Sequence, residues 1–358
     1  MSFKSVWLKL IRVLLFPVAI VYGAVVKLRN FLYDKEIIKS TNFNFPVINV
    51  GNLSVGGTGK SPMVEYLIAL LVPTYKVATL SRGYKRKTRG YILARENTTA
   101  IDLGDEPMQF HLKFPEVAVA AGEERAIAIP QILFDKPETD VIILDDAFQH
   151  RAVTAGFNIL LTDFNHLFYK DFFLPTGNLR DSRSRYKKAD VIVVTKCSDA
   201  ITKEDKKKIS NRINPLPHQL VFFTKINYGT AYHIITKEKI KLNKQTAILL
   251  VCGIANPVSL KKYIAERVAS VEGIYYRDHY IFRIDDLKHI TNRFNKMTGK
   301  HKIILTTEKD AVRLMKFEAV LKDTPLYILP IETSFLFDGM QQFNVAVKRF
   351  INDFKEKY

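Results

Sequence analysis

Cysteine is almost absent from this 358-residue chain: Cys197 and Cys252 stand far apart, with no third cysteine to build a spacing pattern. A disulfide framework and a cysteine-based zinc site are thereby excluded, and the usage fits a reducing compartment. Acidic residues are also short, 36 Asp and Glu against 54 Lys and Arg. Long apolar runs are lacking after the N-terminus, which excludes an ordinary multi-pass membrane protein. Internal repeats and low-complexity tracts are missing as well. With 47% hydrophobic and 25% charged residues, the chain can bury a sizeable core, so disorder and collagen-like structure are excluded too. Its length suits two domains of ordinary size.

What the chain has in excess is positive charge, a formal +18. That surplus points to an anionic partner: nucleic acid, an acidic membrane surface or a phosphorylated substrate. The N-terminus narrows the choice. Residues 13–26 (VLLFPVAIVYGAVV) carry no charge, with Lys4, Lys9 and Arg12 before them and Lys27 and Arg29 after. As a helix this stretch rises roughly 21 Å, short of the ~30 Å hydrocarbon core. A secretory signal has a similar outline, but a nucleotide motif from residue 54 onward makes export pointless. The expectation is a membrane-associated helix within residues 1–35 that lies in the interface, with its basic flanks toward anionic headgroups. The alternative is a buried core helix with basic ends.

From residue 46 onward, short β-type runs alternate with helical stretches. Apolar runs at 46–50, 76–80, 117–120, 141–144, 158–162 and 191–194 are continuous rather than alternating. A parallel sheet covered on both faces requires such runs. Helices are expected at 61–71 and 124–134, with Pro62 tolerated in the first turn. The fold class is therefore α/β, a P-loop NTPase-type parallel sheet with helices on both faces, occupying residues 36–218. Residues 220–228 and 231–236, separated by Gly229-Thr230, read as a β-hairpin, and 219–244 as a linker. A smaller α/β domain is expected over 245–358, its last helix packing either on itself or back on the first domain.

The strongest chemical signal is Ser54-Val55-Gly56-Gly57-Thr58-Gly59-Lys60-Ser61, set between an expected strand and an expected helix. Small residues let backbone N–H groups turn inward around phosphates; a lysine then meets the β/γ charge and a hydroxyl meets Mg²⁺. Ser54 departs from the general pattern, which has glycine there. The second signal is Val141-Ile142-Ile143-Leu144-Asp145-Asp146, an apolar strand ending in acids. On the sheet that carries the loop, Asp145 or Asp146 would stand beside a hydrated Mg²⁺. Other clusters are weaker alone. Arg82, Tyr84, Lys85 and Arg86 form a basic loop; Asp105 and Glu106 sit between a glycine and a proline; His150 follows the acids; His279 lies in the second domain. Thr307-Glu308-Lys309-Asp310 has the spacing of a helix cap.

Taken in order, these segments resemble the tetraacyldisaccharide 4′-kinase (lipid A 4′-kinase) family over most of the chain. The resemblance is carried by the apolar N-terminus, VGNLSVGGTGKSP (50–62), SRGYKR, GDEP, DDAFQHR, LPTGNLRD (174–181), VVTK, DHY and TEKDAVRL. The loop form with Ser54 is the family's own variant. Differences are Ala147-Phe148, where the family commonly has Gly-Leu, and Asp181, where glutamate is frequent. The resemblance implies ATP-dependent, Mg²⁺-assisted phosphorylation of the 4′-hydroxyl of a tetraacylated glucosamine disaccharide 1-phosphate, in lipid A biosynthesis. It places the enzyme as a monotopic protein on the cytoplasmic face of the inner membrane, with no nucleic-acid partner. It also implies that Asp105 is the base, assisted by His279, with Lys60 on the phosphates. Ser61, Asp145 and Asp146 would surround Mg²⁺, and Arg82, Tyr84, Glu106, Arg125 and His150 would lie near the lipid head group. A base split between two domains would be complete only on closure, which limits wasteful ATP hydrolysis.

The competing reading is a membrane-associated P-loop GTPase acting as a switch or in metal delivery. It rests on Thr195-Lys196-Cys197-Ser198-Asp199, which imitates a guanine-reading Asn-Lys-x-Asp with one residue too many.

Overall fold

The computed structural model describes residues 14–254 and 256–356. The basic residues expected ahead of the apolar run, and Val13 itself, lie outside them. Apart from a short parallel pair, Thr41–Asn42 with Val153–Thr154, the main sheet is built first from β1 (Val47–Asn52), β2 (Val77–Ser81), β3 (Ile92–Leu93), β4 (Ala118–Ala121), β5 (Val141–Asp145), β6 (Phe157–Asp163), β7 (Val191–Thr195) and β8 (Leu220–Tyr228). A second group follows: β9 (Ala231–His233), β10 (Lys239–Ile240), β11 (Thr246–Cys252), β12 (Ser270–Tyr275), β13 (His301–Thr307) and β14 (Leu326–Leu329). The last strand, β15 (Ile331–Phe335), returns to the first sheet.

That sheet has nine strands in the order β15-β8-β7-β6-β1-β5-β2-β4-β3, parallel except at its two edges. β1, β2, β5 and β7 are buried along their whole length, which is why their sequences do not alternate. Successive side chains still point to opposite faces. Ile48, Val50, Ile143 and Val193 pack on one face with Val64, Leu67 and Leu71 of α2 (Lys60–Leu71). On the other face Ile142 and Leu144 meet Ile129 and Ile132 of α4 (Arg125–Asp135), and Ile192 and Val194 meet Ile209 and Ile213 of α5 (Lys203–Ile213). Between α2 and α4 in sequence comes α3 (Asp105–Lys113).

The second sheet has six strands in the order β10-β9-β14-β13-β11-β12. It is packed by α6 (Val258–Ala265), α7 (Ile284–Lys296) and α8 (Glu308–Leu314).

The expected hairpin linker does not form. β8 pairs in parallel with β7 and antiparallel with β15, whereas β9 pairs with β10 and β14. Gly229-Thr230 is therefore a crossing between sheets rather than a turn, and the chain crosses back at Pro330. The Gly229 N–H donates to the Pro330 carbonyl at 2.9 Å, so the junction is a two-stranded ribbon built from segments a hundred residues apart. The second sheet is thus inserted between β8 and β15, and residues 245–358 are not one unit. The last helix, α9 (Gly339–Lys355), packs on the first domain, its Phe343, Val347 and Ile351 fully buried in the core beside α2. Burial of that kind contributes about 1.5–3 kcal/mol per side chain.

Helix α1 (Phe16–Asp34) is two-sided. Ala19, Gly23 and Asn30 form a buried stripe, while Val18, Val21, Val25 and Leu28 are each more than half exposed. At Gly23 an added Cβ would come within 2.8 Å of the Phe173 ring, so only glycine allows this approach. The Asn30 amide donates to Asp181 at 2.8 Å, Tyr22 to the Arg180 carbonyl at 3.1 Å, and Arg151 pairs with Asp34 at 2.7 Å. α1 is therefore neither a core helix nor a detached one. It lies on the first domain with its apolar face outward.

Candidate functional site

The parallel strands deliver their C-terminal ends to one edge of the sheet, where α/β proteins of this kind bind ligands. From β1 the chain enters the 54–61 turn and then α2. Gly56 (φ +99°) and Gly59 (φ +85°) adopt backbone conformations that other L-residues resist, so glycine is needed at both. An added Cβ at Gly56 or Gly57 would meet nothing within 4 Å, so this arc is open. The N–H groups of Gly56, Gly57, Thr58, Gly59, Lys60 and Ser61 have no backbone acceptor among the described residues. Such an arc, closed by the positive end of a helix, suits an anion.

The turn is braced from outside. Val55 N–H donates to Asn178 and Arg180 N–H to Leu53, at 2.8 and 2.9 Å, and Ser54 forms a β-bridge with Leu179. Ser54 and Thr58 are buried, and Thr58 accepts from Asn52 at 2.7 Å while its carbonyl accepts from Thr195 at 2.8 Å. These two residues shape the turn from behind. The Lys196 ammonium closes onto the Gly57 carbonyl and onto Asp163 at 3.0 Å.

Next to the turn, β5 pairs with β1 so that Asp145 stands opposite Val50. The two aspartates have different surroundings. Asp145 is buried and accepts from Ser81 at 3.2 Å through Oδ2, while Oδ1 has no hydrogen-bond partner among the described residues. Burial pushes its carboxyl well above the carboxylate range, and the charges of Glu106 and Asp146 push it further. Asp146, at φ +54°, is engaged by the Arg180 guanidinium through both oxygens and lies 3.6 Å from Lys60 Nζ. Burial works against its ionisation, but Lys60 and Arg180 outweigh burial and hold its carboxyl low. A buried carboxylate oxygen with no partner and a raised proton affinity fits a divalent cation. Among the described residues no three His, Cys, Asp or Glu side chains cluster as a metal cage. An ion held by one or two carboxylates, phosphate and water, in the manner of Mg²⁺, is consistent with that.

A positive cluster flanks the acids. The Arg125 side chain is almost wholly buried at the start of α4, donating to the Gly122 and Glu123 carbonyls while Nε and Nη2 find no partner among the described residues. Burial lowers its guanidinium to about 10, opposed by Asp145 and assisted by Arg82. Burial likewise lowers the half-buried His150, and Arg125 and Arg82 lower it further. Arg82 itself is exposed, as is Tyr84, whose ring meets His279 edge-on at 5.5 Å between centroids.

The remaining residues meet across the domains. His279 Nδ1 lies 2.8 Å from Asp105 Oδ2, and Arg313 Nη2 lies 2.7 Å from the same oxygen. Burial works against the Asp105 charge, but hydrogen bonds from His279 and Arg313 prevail and hold the carboxyl at about 2. His279 is left-handed at φ +59°, a strained state for a non-glycine residue and one that turns its ring toward the first domain. Asp105 is reached from the turn through Glu106, its neighbour in α3, whose charge acts on Asp145. Sequence reasoning missed Arg180, Lys196, Lys309 and Arg313. All four lie in segments that carried the resemblance or the competing guanine-reading pattern, but nothing local distinguished them.

The family model described as "Tetraacyldisaccharide-1-P 4'-kinase" matches residues 11–352. A "Tetraacyldisaccharide 4'-kinase" of Flavobacterium johnsoniae is 46% identical over 348 residues, covering 97% of this chain and 99% of that protein. One of the same description from Bacteroides thetaiotaomicron is 41% identical over 353 residues, covering 95% and 93%. A crystal structure described as the "apo" form of LpxK from Aquifex aeolicus in complex with ATP superposes with a TM-score of 0.74, at 27% identity, covering 95% of this chain and 99% of that one.

Proposed function

The chain belongs to the tetraacyldisaccharide-1-P 4′-kinase family, phosphotransferases acting on the lipid A precursor disaccharide, and from that premise we propose how this molecule performs the transfer. ATP is held by the 54–61 turn, with backbone N–H groups and Lys60 on its phosphates. Ser61 and Asp145 would hold Mg²⁺, which neutralises charge developing on the phosphates. Asp146 serves instead as the counter-charge that positions Lys60 and Arg180. The disaccharide 1-phosphate is received by Arg82, Arg125 and His150, with Tyr84 and Glu106 beside them, an anion offsetting the mutual repulsion of the two guanidinium groups.

Asp105 is the group that takes the proton of the 4′-hydroxyl, and His279 orients it. A carboxyl held low is a weak base, but phosphoryl transfer through a loose transition state asks chiefly for positioning and charge placement. The observation that carries this reading is the 2.8 Å contact between Asp105 and His279, one from each domain. The outward apolar face of α1 supports attachment to the membrane surface on the cytoplasmic face of the inner membrane, where a tetraacylated substrate resides. Exposing each acyl methylene to water would cost about 0.8 kcal/mol, so the enzyme comes to the lipid.

The test is transfer of labelled γ-phosphate from ATP to the disaccharide lipid in mixed micelles, with Asp105→Asn and Lys60→Ala alongside. Product that requires both side chains supports the reading; acceptor-independent hydrolysis at the full rate contradicts it. The switch or metal-delivery alternative gains no support here. Asp199, its guanine-reading carboxylate, is exposed and ion-paired with Lys225 at 2.6 Å.

A further inference from the structure

The segment Thr307-Glu308-Lys309-Asp310, expected only to cap a helix, does more than that. Thr307 Oγ1 does accept from Asp310 N–H at 3.1 Å. Beyond the cap, Glu308 Oε1 pairs with Lys113 of α3 at 2.7 Å, tying α8 to the first domain. Asp310 is fully buried and accepts from the Gly253 N–H at 2.9 Å and the Thr307 hydroxyl at 2.7 Å. Its other oxygen lies 3.4 Å from Arg313 Nη1, and Arg313 Nη2 reaches Asp105. An unbroken chain therefore runs from the backbone of the second domain, through Asp310 and Arg313, to a carboxylate of the first.

Lys309 approaches the same place from the other side. Its ammonium lies 3.1 Å from His279 Nε2 and 3.2 Å from Asp278 Oδ1. An ammonium has only protons to offer, so Nε2 must present its lone pair. The imidazole proton then sits on Nδ1, aimed at Asp105 Oδ2 2.8 Å away, while Arg313 Nη2, 3.2 Å from the same nitrogen, gives its proton to that oxygen at 2.7 Å. The second ring nitrogen thus sets the direction of the first.

We propose that Arg313 and Lys309 are positioning residues for the transfer: Arg313 restrains and aims the Asp105 carboxylate, and Lys309 selects the Nδ1–H tautomer of His279. The inference rests on the reading of Asp105 as base. Among the described residues, the groups facing Asp105 are His279 and Arg313; those facing His279 are Asp105 and Arg313 (3.2 Å) at Nδ1, Lys309 and Asp278 (3.8 Å) at Nε2, and the Tyr84 ring; the carboxylate facing Arg313 besides Asp105 is Asp310. Both positioning side chains stand on α8, so the site is aligned only while α8 is docked on α3.

The experiment compares Arg313→Met, Arg313→Lys, Lys309→Met and Asp105→Asn in the full-length enzyme. It reads kcat and KM for ATP and for the disaccharide lipid across the pH range, with melting curves for each variant. Arg313→Met is expected to lower kcat roughly ten- to hundredfold with KM for ATP unchanged, the scale of a small misplacement of reacting groups. Its acidic limb should move to higher pH, because the carboxylate is released from its cation. Arg313→Lys should recover part of both effects. Lys309→Met should lower kcat with KM for ATP unchanged and alter the shape of the pH profile, because the donor that holds the imidazole proton on Nδ1 is gone. A uniform loss of rate in Arg313→Met and Lys309→Met, with pH profiles superimposable on the parent, would overturn the inference. If Arg313→Met does not fold, the Lys309→Met and Arg313→Lys profiles decide by the same criterion. An Asp105→Asn enzyme with undiminished transfer would instead overturn the underlying reading of the base.

Discussion

His279 Nδ1 and Asp105 Oδ2 stand 2.8 Å apart although 174 residues separate them, and the contact joins the two domains. With Asp105 proposed as the base, this contact would couple the transfer to the docking of one domain on the other. Because the Asp105 carboxyl is held at about 2, below its ordinary value, it is ionised in the folded state at neutral pH.

That displacement has a direction in stability. The folded state binds its proton less readily than the unfolded state, so the stabilisation is fully present above the unfolded value near ~3.9 and is lost as pH falls through about 2. The contribution is on the order of 2 kcal/mol for a group this buried. Asp105→Asn should show less acid sensitivity than the parent between about pH 4 and 2, measured by denaturant titration at each pH. Equal acid sensitivity in both would rule the ion pair out as its source.

Lys60→Ala should abolish most transfer while leaving the fold intact. Arg180 still neutralises Asp146 in that variant, so no buried charge is orphaned. A loss of roughly a hundredfold or more in kcat, with an unchanged melting temperature, is expected for a cation that meets developing phosphate charge.

Glu65 gives a pH response of the opposite sign. It shares Lys113 with Glu308, at 2.8 and 2.7 Å, so two buried carboxylates face one ammonium. Burial raises the Glu65 carboxyl, and the Glu308 charge raises it further, to about 7. An acid raised on folding destabilises the folded state as pH climbs from the unfolded value near ~4.3 through the folded one. Glu65→Gln should flatten that decline, and parallel pH–stability curves for parent and variant would refute it. Lys113→Met, which strands both carboxylates, should cost about 3–5 kcal/mol.

The outward face of α1 can be tested without touching its anchor. Val21→Asp with Val25→Asp should weaken binding to anionic vesicles severalfold while leaving the melting temperature unchanged, because both side chains are more than half exposed. Asn30→Leu should do the reverse. It removes the buried amide that Asp181 accepts from, at a cost of about 1–3 kcal/mol, and leaves the apolar face as it was. Vesicle binding unchanged in the first variant would remove α1 as the anchor.

Much of this was legible along the chain. The glycines before Lys60 announce a turn that must curl its N–H groups inward, and the apolar run ending at Asp145 announces a buried strand that stops at a carboxylate. Both are properties of contiguous residues. The misreading at Gly229-Thr230 shows where such reasoning ends. A glycine between two apolar runs has the local chemistry of a hairpin turn, but β8 takes β7 and β15 as its neighbours. Pairing is decided by which strand arrives alongside, and β15 arrives a hundred residues later.

The choice between the two aspartates follows the same division. That an acid would end β5 followed from the chain's own order, because the apolar run before it has to be buried and the charge has to lie at its end. That Arg180 and Lys60 would occupy Asp146, leaving an oxygen of Asp145 without a partner among the described residues, came from the packing of distant segments. Likewise the GDEP, DHY and TEKDAVRL segments each form turns or caps that local chemistry accounts for. Their assembly into one cluster depends on α8 docking against α3, and that contact is set by packing and charge pairing between surfaces no stretch of sequence contains.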